Sequence, residues 1–214
     1  MSDLNFGVLF LSLLVLLFSL TVHEAAHAWT ANRLGDPTAR DLGRISLNPV
    51  VHIDPVGTLL LPLIALMTGA PLIGWARPVP VSVRHLRHYP RDFMLVAAAG
   101  PASNVLLALA ASLVLRFGPT GTVSVGLLDV SEPLRLLGAT AFQLNLLLAV
   151  FNLVPVPPLD GGNLLGGLLR GRLSQRYEAL RPYGVLVLYA LILTGALTYI
   201  IGPPYLLLAR LLTL

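Results

Sequence analysis

Residues 6–34 read FGVLFLSLLVLLFSLTVHEAAHAWTANRL. Phe6 to Val22 is an apolar run that continues through small residues to about Leu34, and about twenty such residues suffice to cross a bilayer as a helix. Ala26-His27-Ala28 has the small-x-small look of a cleavage site. However, the residues before the run carry Asp3 and no Arg or Lys, and the run is too long for a leader. The expectation is a retained transmembrane helix. Its distal half holds His23, Glu24 and His27, and ionisable side chains inside a span are expensive and mark function by default.

The rest of the chain extends the same reading. Of 214 residues, 56% are hydrophobic and 11% charged, and the mean hydropathy is +0.81. A soluble domain carries about 25% charged residues, so a water-soluble enzyme and a disordered chain are both excluded. Further apolar runs lie at 56–70, 93–117, 134–154 and 183–201, with a short tail at 205–214. The run at 56–70 is short, contains Pro62 and is bounded by Pro55 and Pro71, which predicts a re-entrant or broken segment. All 14 basic residues are Arg. If Val56–Ala70 re-enters, eleven of them fall on one side, and the positive-inside rule then puts that side and its loops in the cytoplasm. The expected architecture is one all-α polytopic membrane domain over residues 1–214. It has four to six transmembrane segments, a re-entrant segment and a small extended or β element at Trp75–Val83. Scattered Arg in so apolar a chain marks loops rather than a nucleic-acid face, and the cluster Arg84, His85, Arg87 and His88 suits anionic headgroups.

His23 and His27 are four residues apart, so a helix stacks their imidazoles on one face where both reach a single metal. Glu24, beside the first, can lean over an open metal position without ligating. That is the geometry of a metalloprotease helix, with two neutral His on zinc and a Glu taking a proton from water. The helical rise puts the three roughly 9–15 Å inside the end of the span at Arg33. With no Cys in the chain, a third ligand must be His or a carboxylate. Asn152-Leu-Val-Pro155-Val-Pro157-Pro158-Leu-Asp160-Gly161-Gly162 offers one. The prolines end a helix, the glycines free the chain, and Asp160 either ligates or caps the following helix.

These residues resemble the site-2 protease family, zinc metalloproteases that cut substrates within the membrane. The likeness rests on His23-Glu24-x-x-His27 and Asn152-x-x-Pro155-x-x-Pro158-x-Asp160-Gly161. Between them, Asn48-Pro49-x-x-His52-Ile53-Asp54-Pro55 and Ala99-Gly100-Pro101-x-x-Asn104 look like the compact members. The resemblance implies one Zn²⁺ on His23, His27 and Asp160, with Glu24 as general base, and a transmembrane protein as substrate. It also departs from the family, leaving no room for the inserted PDZ domain of many members.

Other polar residues carry two readings each. His52 and Asp54 either approach the metal or stabilise a turn as a pair. Asn152 either bonds a substrate carbonyl or bridges helices, whereas Asn104 is expected to pack helices. In Trp75–Val83, Pro78 and Pro80 strip donors from one edge while Arg77, Val79 and Val81 keep theirs on the other. That second edge either pairs with an unwound substrate or with a neighbouring strand of the same chain. The function expected is an intramembrane zinc endopeptidase in the cell membrane, its site toward the cytoplasm. A zinc transporter or non-catalytic scaffold is the alternative, disfavoured because ionisable residues concentrate in one helix rather than at the midplane of several.

Overall fold

The structure is a computed structural model that describes residues 6–68, 75–118, 123–125 and 128–213. Three helices are long and apolar enough to span a bilayer: α1 (Phe6–Arg33), α4 (Arg91–Phe117) and α5 (Ser131–Asn152). Between the first two lie a short α2 (Thr38–Asp41), a 3₁₀ turn (Pro49–His52), a π-helical turn (Pro55–Leu60) and α3 (Leu61–Thr68). After them come α6 (Asp160–Leu168), α7 (Arg172–Leu180), α8 (Gly184–Leu193) and α9 (Ala196–Leu212). Large apolar side chains on outer faces are open to the surroundings, including Phe10, Phe18, Leu106 and Val114. A soluble protein would bury such a surface; these helices turn it toward lipid. The protein is an integral membrane protein of all-α class.

The bundle closes on small residues, which let helix backbones approach where lipid-like side chains give no drive to associate. Ala108, Ala111, Phe142 and Leu146 form the α4–α5 core, covered by Tyr205, Leu208 and Leu212 of α9. Leu16 and Leu20 of α1 pack with Ala76, and Leu144 and Leu148 of α5 complete that cluster. Segment 75–82 is thereby pinned against the bundle near the α1–α5 seam through its buried Ala76.

Two expectations are revised, and the short run at 56–70 keeps its reading. The run at 183–201 is not one straight span. Gly195 adopts φ 74°, which separates α8 from α9, and the pair Arg172–Leu193 and Ala196–Leu212 bends by 84°. Four spans, the lower bound expected, are reached only when this bent pair counts as one, and the tail from Tyr205 belongs to α9. Pro55–Leu60 and Leu61–Thr68 span 6 and 8 residues, about 21 Å at the helical rise, short of a roughly 30 Å hydrocarbon core. The last two residues of the run, 69 and 70, lie outside those described. Finally, Trp75–Ser82 forms no ladder. Among the described residues the only strands are Ser124–Val125 and Leu128–Asp129, an antiparallel pair with Ser124 opposite Asp129.

Segment 75–82 is held by single bonds instead. Trp75 N–H donates to Gly57 O, Arg77 N–H to His52 O and Thr58 Oγ1 to Trp75 O. At its far end Asp36, fully buried just after α1, accepts from Ser82 N–H at 2.6 Å. The same carboxylate takes Thr38 Oγ1 at 2.5 Å, Thr38 N–H at 3.1 Å and His85 Nδ1 at 3.2 Å. Burial alone would raise the Asp36 pKa, but these donors outweigh it and hold it below the usual carboxylate value. A depressed native pKa makes this stabilisation full above roughly pH 4 and lost as pH falls through the lower native value. The expected outcome is an acid-side fall in thermal stability of the detergent-solubilised protein, followed by its melting temperature against pH. Asp36→Asn should be less stable at neutral pH and lose part of that acid slope.

Candidate metal centre

α1 places His23 and His27 one turn apart on its inward face, 5% and 8% exposed. Their Nε2 atoms lie 3.1 Å apart. Asp160, the first residue of α6, brings Oδ2 to 3.2 Å from His23 Nε2 and 3.3 Å from His27 Nε2. The opposite ring nitrogens are engaged: His23 Nδ1 lies 2.6 Å from Asn104 Oδ1, and His27 Nδ1 donates to Val96 O at 2.7 Å. Because Val96 O can only accept, the neutral imidazole that binds a metal carries its hydrogen on Nδ1 and leaves Nε2 as a lone pair. It faces the Asp160 carboxylate, whose buried Oδ2 has no hydrogen-bond donor among the described residues. Acceptors crowded this closely repel unless a cation lies among them.

A zinc ion fits this test. Tetrahedral ligands about 2.0–2.1 Å from zinc stand roughly 3.3–3.4 Å from each other, close to the three separations found. The donor set of two imidazoles and a carboxylate also matches catalytic zinc, which keeps a fourth position open. Among the described residues, His23, His27 and Asp160 form the one cluster of three or more candidate ligands.

The capping alternative for Asp160 is not what the structure has, since α6 begins without a side-chain cap bond. The carboxylate still sits favourably at a helix N-terminus, where the dipole suits negative charge. Gly161 and Gly162 act through space rather than flexibility. A Cβ on Gly161 would meet Leu153 O at 2.1 Å, and one on Gly162 would meet Pro157 N at 2.6 Å. These contacts let α6 start hard against the 153–157 turn and so aim Asp160 at α1.

Glu24, half-buried, accepts a hydrogen bond from Val79 N–H at 2.8 Å through Oε2. Of the edge donors read from the sequence, Arg77 N–H is therefore held by His52 O and Val79 N–H by Glu24, while Val81 packs against the Ala31, Leu86 and Val96 cluster. His52 is buried but outside the cluster, with Nε2 bonded to Ser46 O at 2.9 Å. Asp54 is not its partner; it caps the π-helical turn through Val56 and Gly57 N–H. Asn152 turns its amide onto its own helix, donating to Leu148 O.

Two features escaped the sequence reading. Asn104 is more than a packing residue, because its side chain bonds a candidate ligand and continues to Asn145 on α5 at 2.9 Å. Asn145 is a lone amide deep in an apolar span, and that cost was the signal available. Gly100 on α4 is the second. A Cβ there would lie 2.3 Å from His27 Nε2 and 2.6 Å from His23 Nε2, so the hydrogen leaves the room the ligand face occupies.

Fold and site together define a membrane-embedded zinc metallopeptidase. The chain belongs to peptidase family M50, the site-2 proteases. The match described as Peptidase family M50 covers residues 118–194, which include Asp160 but not His23 or His27. Likeness to individual relatives extends further. The chain is 36% identical over 190 residues to a Bacillus subtilis protein named zinc metalloprotease YwhC, covering 89% of this chain and 83% of that one. It is 31% identical over 207 residues to one of Mycolicibacterium smegmatis named zinc metalloprotease Rip2, covering 89% and 70%. No solved structure matches the chain. The family sets aside the transporter and scaffold alternatives and makes Zn²⁺ the cofactor.

Gly100→Ala should weaken zinc binding by on the order of tenfold, the scale of a disturbed ligand environment. Equilibrium competition with a chromophoric chelator measures it, with α-helical content checked by circular dichroism. Wild-type affinity in a folded Gly100→Ala protein would remove the steric role.

Proposed function

We propose that the chain is an intramembrane zinc endopeptidase in which His23, His27 and Asp160 hold the ion and Glu24 is the general base. The observation that carries this reading is the convergence of the three acceptors within 3.1–3.3 Å inside a bundle of membrane-spanning length. Glu24 lies one residue from His23. Bound zinc supplies Lewis-acid polarisation of the peptide carbonyl and a lowered pKa for water at its open position. Glu24 takes the proton of the attacking water as the new C–O bond forms, then delivers it to the amine as the C–N bond breaks. The Val79 N–H fixes one oxygen of that carboxylate, so the base is oriented by segment 75–82 before any substrate arrives.

The substrates are transmembrane or membrane-proximal segments of other membrane proteins, cut in the manner of regulated intramembrane proteolysis. A helical substrate shields its peptide bonds in its own hydrogen bonds and must unwind first. Pairing of the unwound strand along Arg77, Val79 and Val81 proceeds by exchange: a substrate carbonyl takes the Val79 N–H, and Glu24 is released to act. Asn152, at the end of α5 before the Asp160 turn, is the amide placed to bond a substrate carbonyl after leaving Leu148 O. His52 is the further candidate for a substrate contact: its Nε2 is held by Ser46 O and its carbonyl by Arg77 N–H, while its buried Nδ1 has no partner among the described residues. Residues 1–214 act as a single membrane-embedded domain in the cell membrane, the site toward the cytoplasm. The Arg residues gathered before α4 (Arg77, Arg84, Arg87 and Arg91) and around α7 (Arg170, Arg172, Arg176 and Arg181) support that orientation.

Two measurements test this. Glu24→Gln should keep zinc yet lose cleavage by about 10²–10⁴-fold, whereas Asp160→Ala should lose zinc; metal content after dialysis and cleavage of a single-span substrate report both. Turnover by zinc-loaded Glu24→Gln would end the mechanism. For orientation, Arg87→Cys and Arg176→Cys introduce single thiols into a chain with no Cys. Neither should react with an impermeant reagent in intact cells, and labelling of either would reverse the assignment.

A further inference from the structure

Asn104 and Asn145 are 0% and 2% exposed, which places two primary amides in the apolar interior between α4 and α5. They form a continuous line from His23. His23 Nδ1 meets Asn104 Oδ1 at 2.6 Å, Asn104 Nδ2 donates to Asn145 Oδ1 at 2.9 Å, and Asn145 Nδ2 donates to Ala141 O at 2.8 Å. An amide side chain has two unlike ends: the oxygen only accepts and the nitrogen only donates. A chain of amides therefore transmits direction.

That direction is set at the far end. Ala141 O is a backbone carbonyl and cannot donate, so it must face the Asn145 NH₂. Asn145 Oδ1 then faces Asn104, which must answer with its NH₂, and Asn104 Oδ1 is left toward His23. Only a protonated Nδ1 satisfies it. Reversing any one amide would set donor against donor or acceptor against acceptor, and leaving such groups unpaired in a buried site is costly. His27 reaches the same state in one step, because its Nδ1 meets Val96 O directly. The two imidazoles thus present lone pairs on Nε2 by different means, one through a fixed carbonyl and one through two rotatable amides.

We propose that Asn145 is a positioning residue that, through Asn104, holds His23 in its Nδ1–H tautomer and keeps the Nε2 lone pair toward the metal position. The proposal rests on the zinc-ligand reading given above. A purely packing role for Asn145 accounts for an amide between two helices, but it does not require this order of donors and acceptors.

The test measures zinc affinity of the purified full-length chain by competition with a chromophoric chelator, alongside thermal unfolding. Asn145→Leu, which keeps the branched shape and removes both polar ends, should weaken zinc binding by about tenfold, as loss of an outer partner does. In Asn104→Asp both side-chain oxygens accept, so rotation no longer matters. The double variant Asn104→Asp/Asn145→Leu should then bind zinc as Asn104→Asp alone does. Wild-type affinity in Asn145→Leu, or the full loss persisting in the double variant, would overturn the proposal. If Asn145→Leu does not fold, ring-nitrogen NMR shifts of the metal-free wild type decide. Nδ1–H at His23 is expected there, and Nε2–H overturns it. His23→Ala separates the two failures: zinc binding that survives it sinks the ligand reading, while loss there with none in Asn145→Leu sinks the relay alone.

Discussion

Three candidate metal-ligating atoms that crowd one another inside a membrane protein form the constraint around which the rest is arranged. In the metal-binding form, His27 Nε2 and Asp160 Oδ2 both offer lone pairs, 3.3 Å apart, in a largely buried setting. Each surrounding element makes that crowding tenable. α1 supplies two imidazoles at helical spacing, α4 passes close by through Gly100 and gives Val96 O and Asn104, and α6 starts against the 153–157 turn so that Asp160 points inward. A cation among the three converts repulsion into attraction, and in a low-dielectric interior that change is large. Metal binding and bundle closure are on this view one event: α1 and α6 are joined through the ion as well as through α4.

The parts legible in the sequence were those governed by spacing along one element or by composition. His23 and His27 lie four apart on a helix, and the apolar lengths of α1, α4 and α5 announce spans. Asp160 was visible because prolines and glycines frame it. What the sequence did not disclose depends on which elements meet. Gly100 was visible only as part of the Ala99-Gly100-Pro101-x-x-Asn104 likeness; the approach of α4 to the ligand face is what makes its missing Cβ matter. Asn145 looks like a tolerated amide until Asn104 is brought to 2.9 Å. Gly195 lies in an apolar run whose hydropathy is the same whether the helix continues or bends there. The extended reading of Trp75–Val83 foresaw the absence of helix but not that its donors would be spent on His52 and Glu24 rather than on a ladder.

Segment 75–82 links the membrane interior to the loop that follows α1. Asp36 gathers Ser82, Thr38 and His85 around one buried carboxylate, fixing the segment's far end, while Trp75 and Arg77 fix its near end on Gly57 and His52. Between these anchors Val79 meets Glu24. Among the described residues the segment has no sheet neighbour to compensate a lost bond, so its position rests on a few individual hydrogen bonds. Each is worth little net in water-exposed settings, and each costs more to leave unmade once buried. Such a segment can trade a partner without unfolding, since exchange of one amide for another leaves the bond count unchanged. A carboxylate poised by a backbone amide and a substrate strand seeking that same amide are then competitors for one donor. In the proposed mechanism, arrival of substrate and release of the base become a single exchange, so the base is freed only when a peptide is present to be cut.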